Sequence, residues 1–407
     1  MSRTAGEIER THGLFGGVEE LLDRRRAIYR LAIELAGGAP DGTHLPLDVI
    51  DNPTVRAHLA DVLGGVAAYD SSRMSRLSRF VEPSACVDVA GHQVRLASTP
   101  DAALALEGAL CHIDAALVRG TGSPLVLKGS QQFTAVVCTL AGGIELAVSV
   151  APELALDLLP HVALFAVVDS EYSGRLGSAS LREFPGLILL PEPQSSVEVA
   201  EALIHEGAHQ KFFDLAMTRS VLGPAAHLRY APPWRPSDAP GWPFEQCVAA
   251  FHAYCCLAAF NVALRSAPEI ALHSDSLLPF AAERAEVLGS WLLGHGDLLG
   301  PDGQELVARL IGAEFDVPSA PKGVDDLMSE LTASSEPVAA QRCGEWTLIM
   351  QLTRPAVLLW VRSATVGLDL LAAGCERSGL VGLQTGRDRR HSAHRSDLRA
   401  SRRPSEV

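Results

Sequence analysis

Leu203-Ile204-His205-Glu206-Gly207-Ala208-His209-Gln210-Lys211-Phe212-Phe213-Asp214 is the stretch on which the reading of this chain turns. Two histidines four residues apart lie on one face of a helix, because a helix turns about once every 3.6 residues. Their imidazoles can then share one metal ion. Glu206 follows the first histidine and can project toward the open side of that ion, as in the H-E-x-x-H pattern. Val197, Val199, Ala200, Ala202, Leu203 and Ile204 lead in, and Phe212, Phe213, Leu215 and Ala216 lead out, so the helix is expected to be buried. Ser195 or Ser196 suits its N-cap, and Glu198 stands where a capping-box acid belongs. The plain alternative is a helix whose two histidines bind nothing. A second feature weighs against it: residues 248–264 form a strongly apolar run with His252 in its middle. A histidine inside an apolar helix needs a partner, which a metal would supply.

The 407 residues suffice for one large domain or two ordinary ones. Hydrophobic residues make up 47% and charged residues 20%, the balance of a folded globular chain. Aromatics are few and Ala and Leu abundant, which favours helix. A net charge of −14 argues against nucleic acid or an anionic membrane as partner. The first ten residues lack the apolar core of a signal peptide, and the apolar stretch 355–373 is interrupted by Arg362 and Asp369. The eight cysteines are scattered, with no C-x-x-C pair, and read as reduced thiols of a cytoplasmic protein. Cys255 and Cys256 lie close to His252 in sequence, so a thiolate ligand is conceivable but ranks below the histidine.

The expected fold class is α+β, mostly helical. A helical metal-binding core joins the H-E-x-x-H helix to a second ligand helix, with a small mixed strand region before it. Residues 1–80 read as a helical N-terminal region, including 14–36, where Arg24, Arg25, Arg26 and Arg30 are taken as a solvated face. Residues 81–312 form the core. Within it 85–97 reads as a hairpin and 102–119 as helix. Residues 125–130, 133–140 and 144–150 read as short strands, and 152–164 reads either way. Residues 162–168 and 187–190 are expected strands leading to the central helix at 195–220. Ser178 and Ser180, in the loop before the second of these, suit either substrate contact or plain turn chemistry. A proline-stiffened loop at 223–243 carries Arg235, whose fork can grip a carboxylate or simply pair with Asp238. The second site helix spans 244–267, and a helical pair follows over 280–293 and 302–311. Residues 313–385 form an extension of no assigned role, and the basic, Ser-rich tail 386–407 is expected to be disordered.

Two kinds of enzyme use such a helix. In a zinc peptidase or amide hydrolase, Zn(II) activates water and Glu206 is the general base. The metzincin continuation is absent, since Phe212 and Leu215 hold its Gly and His positions; a third ligand on the next helix would be Glu245. In a mononuclear iron site the usual set is two histidines and a carboxylate, and Glu206, His252 or Glu245 could complete it. Arg235 would then hold the far carboxylate of a 2-oxoacid.

The segments Leu203–Lys211, Tyr230-Ala-Pro-Pro-Trp-Arg235 and Ala250-Phe-His-Ala-Tyr254 together resemble the HExxH-type peptide-modification proteins of bacterial natural-product clusters. The likeness extends to Ser178-Ala-Ser180, to Phe184-Pro-Gly-Leu-Ile188 and to residues 298–307, covering roughly 100–312. It implies an Fe(II)- and 2-oxoglutarate-dependent dioxygenase that uses O2 to hydroxylate a side-chain β-carbon of a ribosomally made precursor peptide, with a radical SAM maturase as a companion. It makes His205, His209 and His252 the iron ligands and Glu206 a near-site acid. Tyr230 and Arg235 fall in the family's co-substrate segment, with 2-oxoglutarate assigned to Arg235 from its chemistry. The doubled Pro232-Pro233 and the lack of a second arginine just after Arg235 depart from the family pattern. A non-catalytic protein that binds a leader peptide or a maturase is the remaining alternative.

Overall fold

Two long helices carry the centre of the molecule: Ser196–Thr218 (α8) and Phe244–Leu264 (α9). The computed structural model describes residues 17–35, 46–70, 72–73, 77, 85–97, 100–116, 133–169, 177–224, 226–237, 239–267 and 271–312. All lie in the first of the two units into which the chain divides, Met1–Arg362. The expected strand at 125–130, the extension 313–385 and the tail 386–407 fall outside the described residues.

Ser195 caps α8, its hydroxyl accepting from the Glu198 amide at 3.3 Å, while the Glu198 carboxylate accepts from the Gln194 amide at 2.7 Å. This reciprocal cap satisfies donors that no helix can satisfy itself. Beyond it, α8 is buried on nearly every side, the mark of a core helix rather than a surface one. Its buried polar side chains each find a partner on a different neighbour, as burial demands. Glu201 accepts from the Ser276 hydroxyl and the Leu277 amide, both at 2.6 Å. Gln210 accepts from the Gly186 amide at 2.6 Å and donates to the Leu187 carbonyl at 2.8 Å. Lys211 pairs with Asp157, and Asp214 with Arg25 and His161. These ties set the rotation of the helix, and hence which way its histidines face.

The sheet has the order β1-β2-β3-β5-β4: Ala85–Val89 (β1), His92–Ala97 (β2), Leu164–Val168 (β3), Ala179–Ser180 (β4) and Leu187–Pro191 (β5). The β1–β2 hairpin is antiparallel, β2–β3 and β3–β5 are parallel, and the two-residue β4 closes the edge antiparallel to β5. β3 is buried at every position, as expected of a parallel strand covered on both faces. Phe165, Val167, Ile188 and Leu190 join the main core with α8 and α9. Leu164, Ala166, Val168, Leu187 and Leu189 point the other way, against Pro100–Ala105 (α4) and Glu107–Ala116 (α5). A mostly helical fold with a small mixed sheet is therefore what the chain adopts.

The stretch expected as strands at 133–140 and 144–150 is instead one helix, Phe133–Val150 (α6). Its buried positions Val136, Leu140, Ile144 and Ala147 recur at helical spacing and face α8. The local run of branched residues suggested strand, but a long-range helix partner decides the outcome. Gly143 permits the crossing: a Cβ there would lie 2.3 Å from the Val199 Cβ. Residues 152–164, which read either way, form Pro152–Leu158 (α7) and a 3-10 turn before β3.

Val18–Leu35 (α1), Leu47–Ile50 (α2) and Pro53–Leu63 (α3) make the N-terminal region, with Tyr29, Ile50, Val55 and Leu59 as a small core of their own. The solvated-face reading of the arginines holds for Arg24, paired with Glu20, but not for Arg25. Arg25 is 1% exposed and pairs with Asp51 and with Asp214 of α8. Asp51 also takes Arg26 and Arg56, and these three guanidiniums hold its carboxyl far below the ordinary range. Ala281–Leu293 (α10) and Pro301–Ile311 (α11) form the expected helical pair, α10 lying against α9. Among the described helices α9 alone is long and apolar enough to cross a membrane, with mean hydropathy 1.8, and it is mostly packed inside the fold.

Candidate metal centre

One turn of α8 brings His205, Glu206 and His209 together, with one ligand atom of each within 4.8 Å of the others. The imidazoles of His205 and His209 meet edge to face, centroids 4.9 Å apart, and His205 Nε2 lies 3.9 Å from Glu206 Oε1. Glu206 is buried and accepts from the Ser178 hydroxyl at 2.6 Å. Burial is the main force pushing both imidazoles down to about 4; the Arg284 charge adds to it at His205, and His205 adds to it at His209. Both rings are therefore neutral near pH 7, as a metal requires of its ligands.

The donor set fits a divalent transition metal such as Fe(II) or Zn(II). Two imidazole nitrogens and one carboxylate oxygen match the facial set of non-haem iron, and the same residues serve zinc. His205 Nδ1 is buried with no hydrogen-bond partner among the described residues, so the protein alone leaves this ring under-satisfied.

The other expected site residues are not among these three donors. His252 is not in the group. It sits on α9 with Nδ1 3.1 Å from the Ala208 carbonyl and Nε2 3.8 Å from Cys256 Sγ, so both ring nitrogens are engaged inside the helix pair. Burial, with the nearby Lys211 charge, pushes it down to about 3. Inside the apolar helix pair its Nδ1 thus finds a backbone carbonyl as partner. Cys256 is buried and its thiol pushed up to about 12, which removes it as a ready thiolate. Glu245 pairs with Arg182 across from the loop before β5. Tyr230, in Arg229–Tyr230 (β6), stacks on Trp291 with centroids 4.6 Å apart. Arg235 lies over Trp242 at 5.7 Å, its Nε buried without a partner, while Asp238 lies outside the described residues.

Ser178 is the donor that holds Glu206. Ser180 pairs with Ile188 in the sheet. The sequence reading also passed over Arg284, Tyr254 and Trp234. Tyr254 meets the edge of His205 at 5.9 Å, Trp234 meets Tyr254 at 5.9 Å, and Arg284 contacts both rings. Tyr254 lay within the quoted 250–254 segment, two residues beyond His252, but Arg284 carried no motif at all and reaches the site only through the docking of α10 on α9. In comparison with known proteins, no family model matches the chain, and no curated protein matches it.

Proposed function

We propose that this protein is an iron(II)- and 2-oxoglutarate-dependent oxygenase that hydroxylates a side-chain β-carbon of a ribosomally made precursor peptide. The observation that carries the reading is the two-nitrogen, one-oxygen group of His205, His209 and Glu206, flanked by an aromatic wall and a cation. His205 and His209 would hold the metal, and Glu206, oriented by Ser178, offers the third donor. Iron bound there supplies the oxidising chemistry, drawn from dioxygen and the 2-oxoacid. Tyr254 and Trp234 line one side, where they exclude water and fix the orientation of what enters. The peptide substrate and a companion maturase belong to the same proposal through the resemblance of residues 203–254.

Anaerobic reconstitution with iron(II), then 2-oxoglutarate, tests this. A visible charge-transfer band that needs both additions and is lost in His209→Ala is the expected result. No band, with tight zinc uptake in its place, overturns the oxygenase reading.

A zinc-dependent amide hydrolase is the second reading, favoured by Glu206 being held by Ser178 next to the two histidines, as a general base would be. It requires Glu206→Gln to keep zinc and lose nearly all hydrolytic turnover. An oxygenase whose metal takes Glu206 as a donor instead loses metal affinity in the same variant.

A further inference from the structure

Arg284 stands on α10 with its guanidinium 5.1 Å from the Trp234 ring centre, 5.4 Å from Tyr254 and 5.6 Å from Phe280. Its Nη1 donates to the Tyr254 hydroxyl at 2.9 Å. Among the described residues no carboxylate pairs with it. The other arginines around the core are matched: Arg25 with Asp51 and Asp214, Arg26 and Arg56 with Asp51, Arg182 with Glu245. A guanidinium has five donors and no acceptor, and Arg284 spends one. Half-burying a cation without a counter-ion is costly, and three ring faces offset only part of that cost. The remaining donors suit an anion.

The place of this unmatched cation is specific. Tyr254, to which it is bonded, meets the edge of His205 with ring centroids 5.9 Å apart. Arg235 also lacks a carboxylate among the described residues, but it stands one ring further out. It lies over Trp242, which meets Trp234 at 6.2 Å, and Trp234 in turn meets Tyr254.

We propose that Arg284, not Arg235, receives the carboxylate that a dicarboxylic 2-oxoacid carries at the end away from the metal. With Nη1 bonded to the Tyr254 hydroxyl, the donors left on the guanidinium suit the two oxygens of a carboxylate in a way an ammonium does not. The site thereby selects a five-carbon dicarboxylate over a monocarboxylic oxoacid of equal length. This rests on the oxygenase reading above.

The test compares 2-oxoglutarate with 2-oxopentanoate, which has the same chain length but no second carboxylate. Binding of each to the iron(II)-loaded full-length protein is titrated without oxygen, so no turnover is involved. Wild type is expected to prefer 2-oxoglutarate by about tenfold to a hundredfold, the worth of a charge-assisted hydrogen-bonded pair. Arg284→Met is expected to bring that preference close to one while binding 2-oxopentanoate as wild type does, and Arg235→Met is expected to keep it. Arg284→Lys keeps the stem within its cage and is expected to lose the preference severalfold, which carries the test if the methionine variant does not fold. A preference unchanged in both Arg284 variants, or lost in Arg235→Met instead, overturns the assignment and leaves the oxygenase reading standing. Wild-type protein that binds neither oxoacid overturns the oxygenase reading itself.

Discussion

The Ser178 hydroxyl donates to Glu206 at 2.6 Å, which ties the segment entering β4 to the acid of the H-E-x-x-H turn. It is the one hydrogen bond that Glu206 has among the described residues, and Glu206 is 3% exposed. A buried carboxylate without its donor reorients toward any other polar group in reach. Ser178→Ala is therefore expected to weaken metal binding about tenfold to a hundredfold, as removal of an outer partner usually does. Competition against a chromophoric chelator measures it, and an affinity equal to wild type means that Ser178 does not set the acid.

His252 should matter for stability and not for metal content. Its Nδ1 bonds to the Ala208 carbonyl, and its ring is buried between α8 and α9, outside the three-donor group. His252→Ala removes a buried ring and leaves a cavity, at a cost of about 2–4 kcal/mol. Metal stoichiometry by elemental analysis on folded variant protein is expected to stay at the wild-type value. Loss of the metal from a folded variant would bring His252 into the ligand set after all.

The same residue makes the metal-free fold sensitive to acid. His252 lies at about 3 in the folded chain, against an ordinary value of 6.5. Between those values the unfolded chain binds a proton that the folded chain refuses, so stability rises with pH across the window and is lost as pH falls through it. The slope from one such group reaches at most about 1.4 kcal/mol per pH unit. Urea unfolding at stepped pH, with metal removed, is expected to show declining stability below about pH 6.5, and His252→Gln is expected to decline less steeply. Equal slopes would move the effect to other groups.

Gly143 is where α6 crosses α8. A methyl group there falls 2.3 Å from the Val199 Cβ and 2.8 Å from the Ser196 carbonyl oxygen, distances that no side-chain rotation relieves. Gly143→Ala favours an isolated helix, yet is expected to destabilise this protein by about 1–3 kcal/mol through overpacking. A higher melting temperature in the alanine variant would show that the two helices can part at no cost.

Much of the architecture could be read directly. The Ser195 cap, the buried helix after it, the hairpin at 85–97, the strands before the central helix and the pair of helices after α9 all announce themselves through local chemistry: a capping box, alternation about a turn, apolar runs bounded by proline and glycine. What misled was also local. The valines and isoleucine of 133–150 favour strand by propensity, but their burial follows the face of a helix that packs on a partner fifty or more residues away in the chain. Arg25 looked like one of a solvated set, and Asp51 together with Asp214, 189 positions later, makes it a buried ion-pair residue.

The sequence by itself determined the pair of donors that one helical turn must place side by side, because the spacing of His205 and His209 is a property of the helix and of nothing else. It also required that His252, within an apolar run, find a partner. Tertiary structure alone decided which partner that was, a carbonyl of α8, and which cation stands beside the site, Arg284 from α10. Such choices depend on how helices far apart in sequence dock and rotate against each other, and no local spacing encodes that.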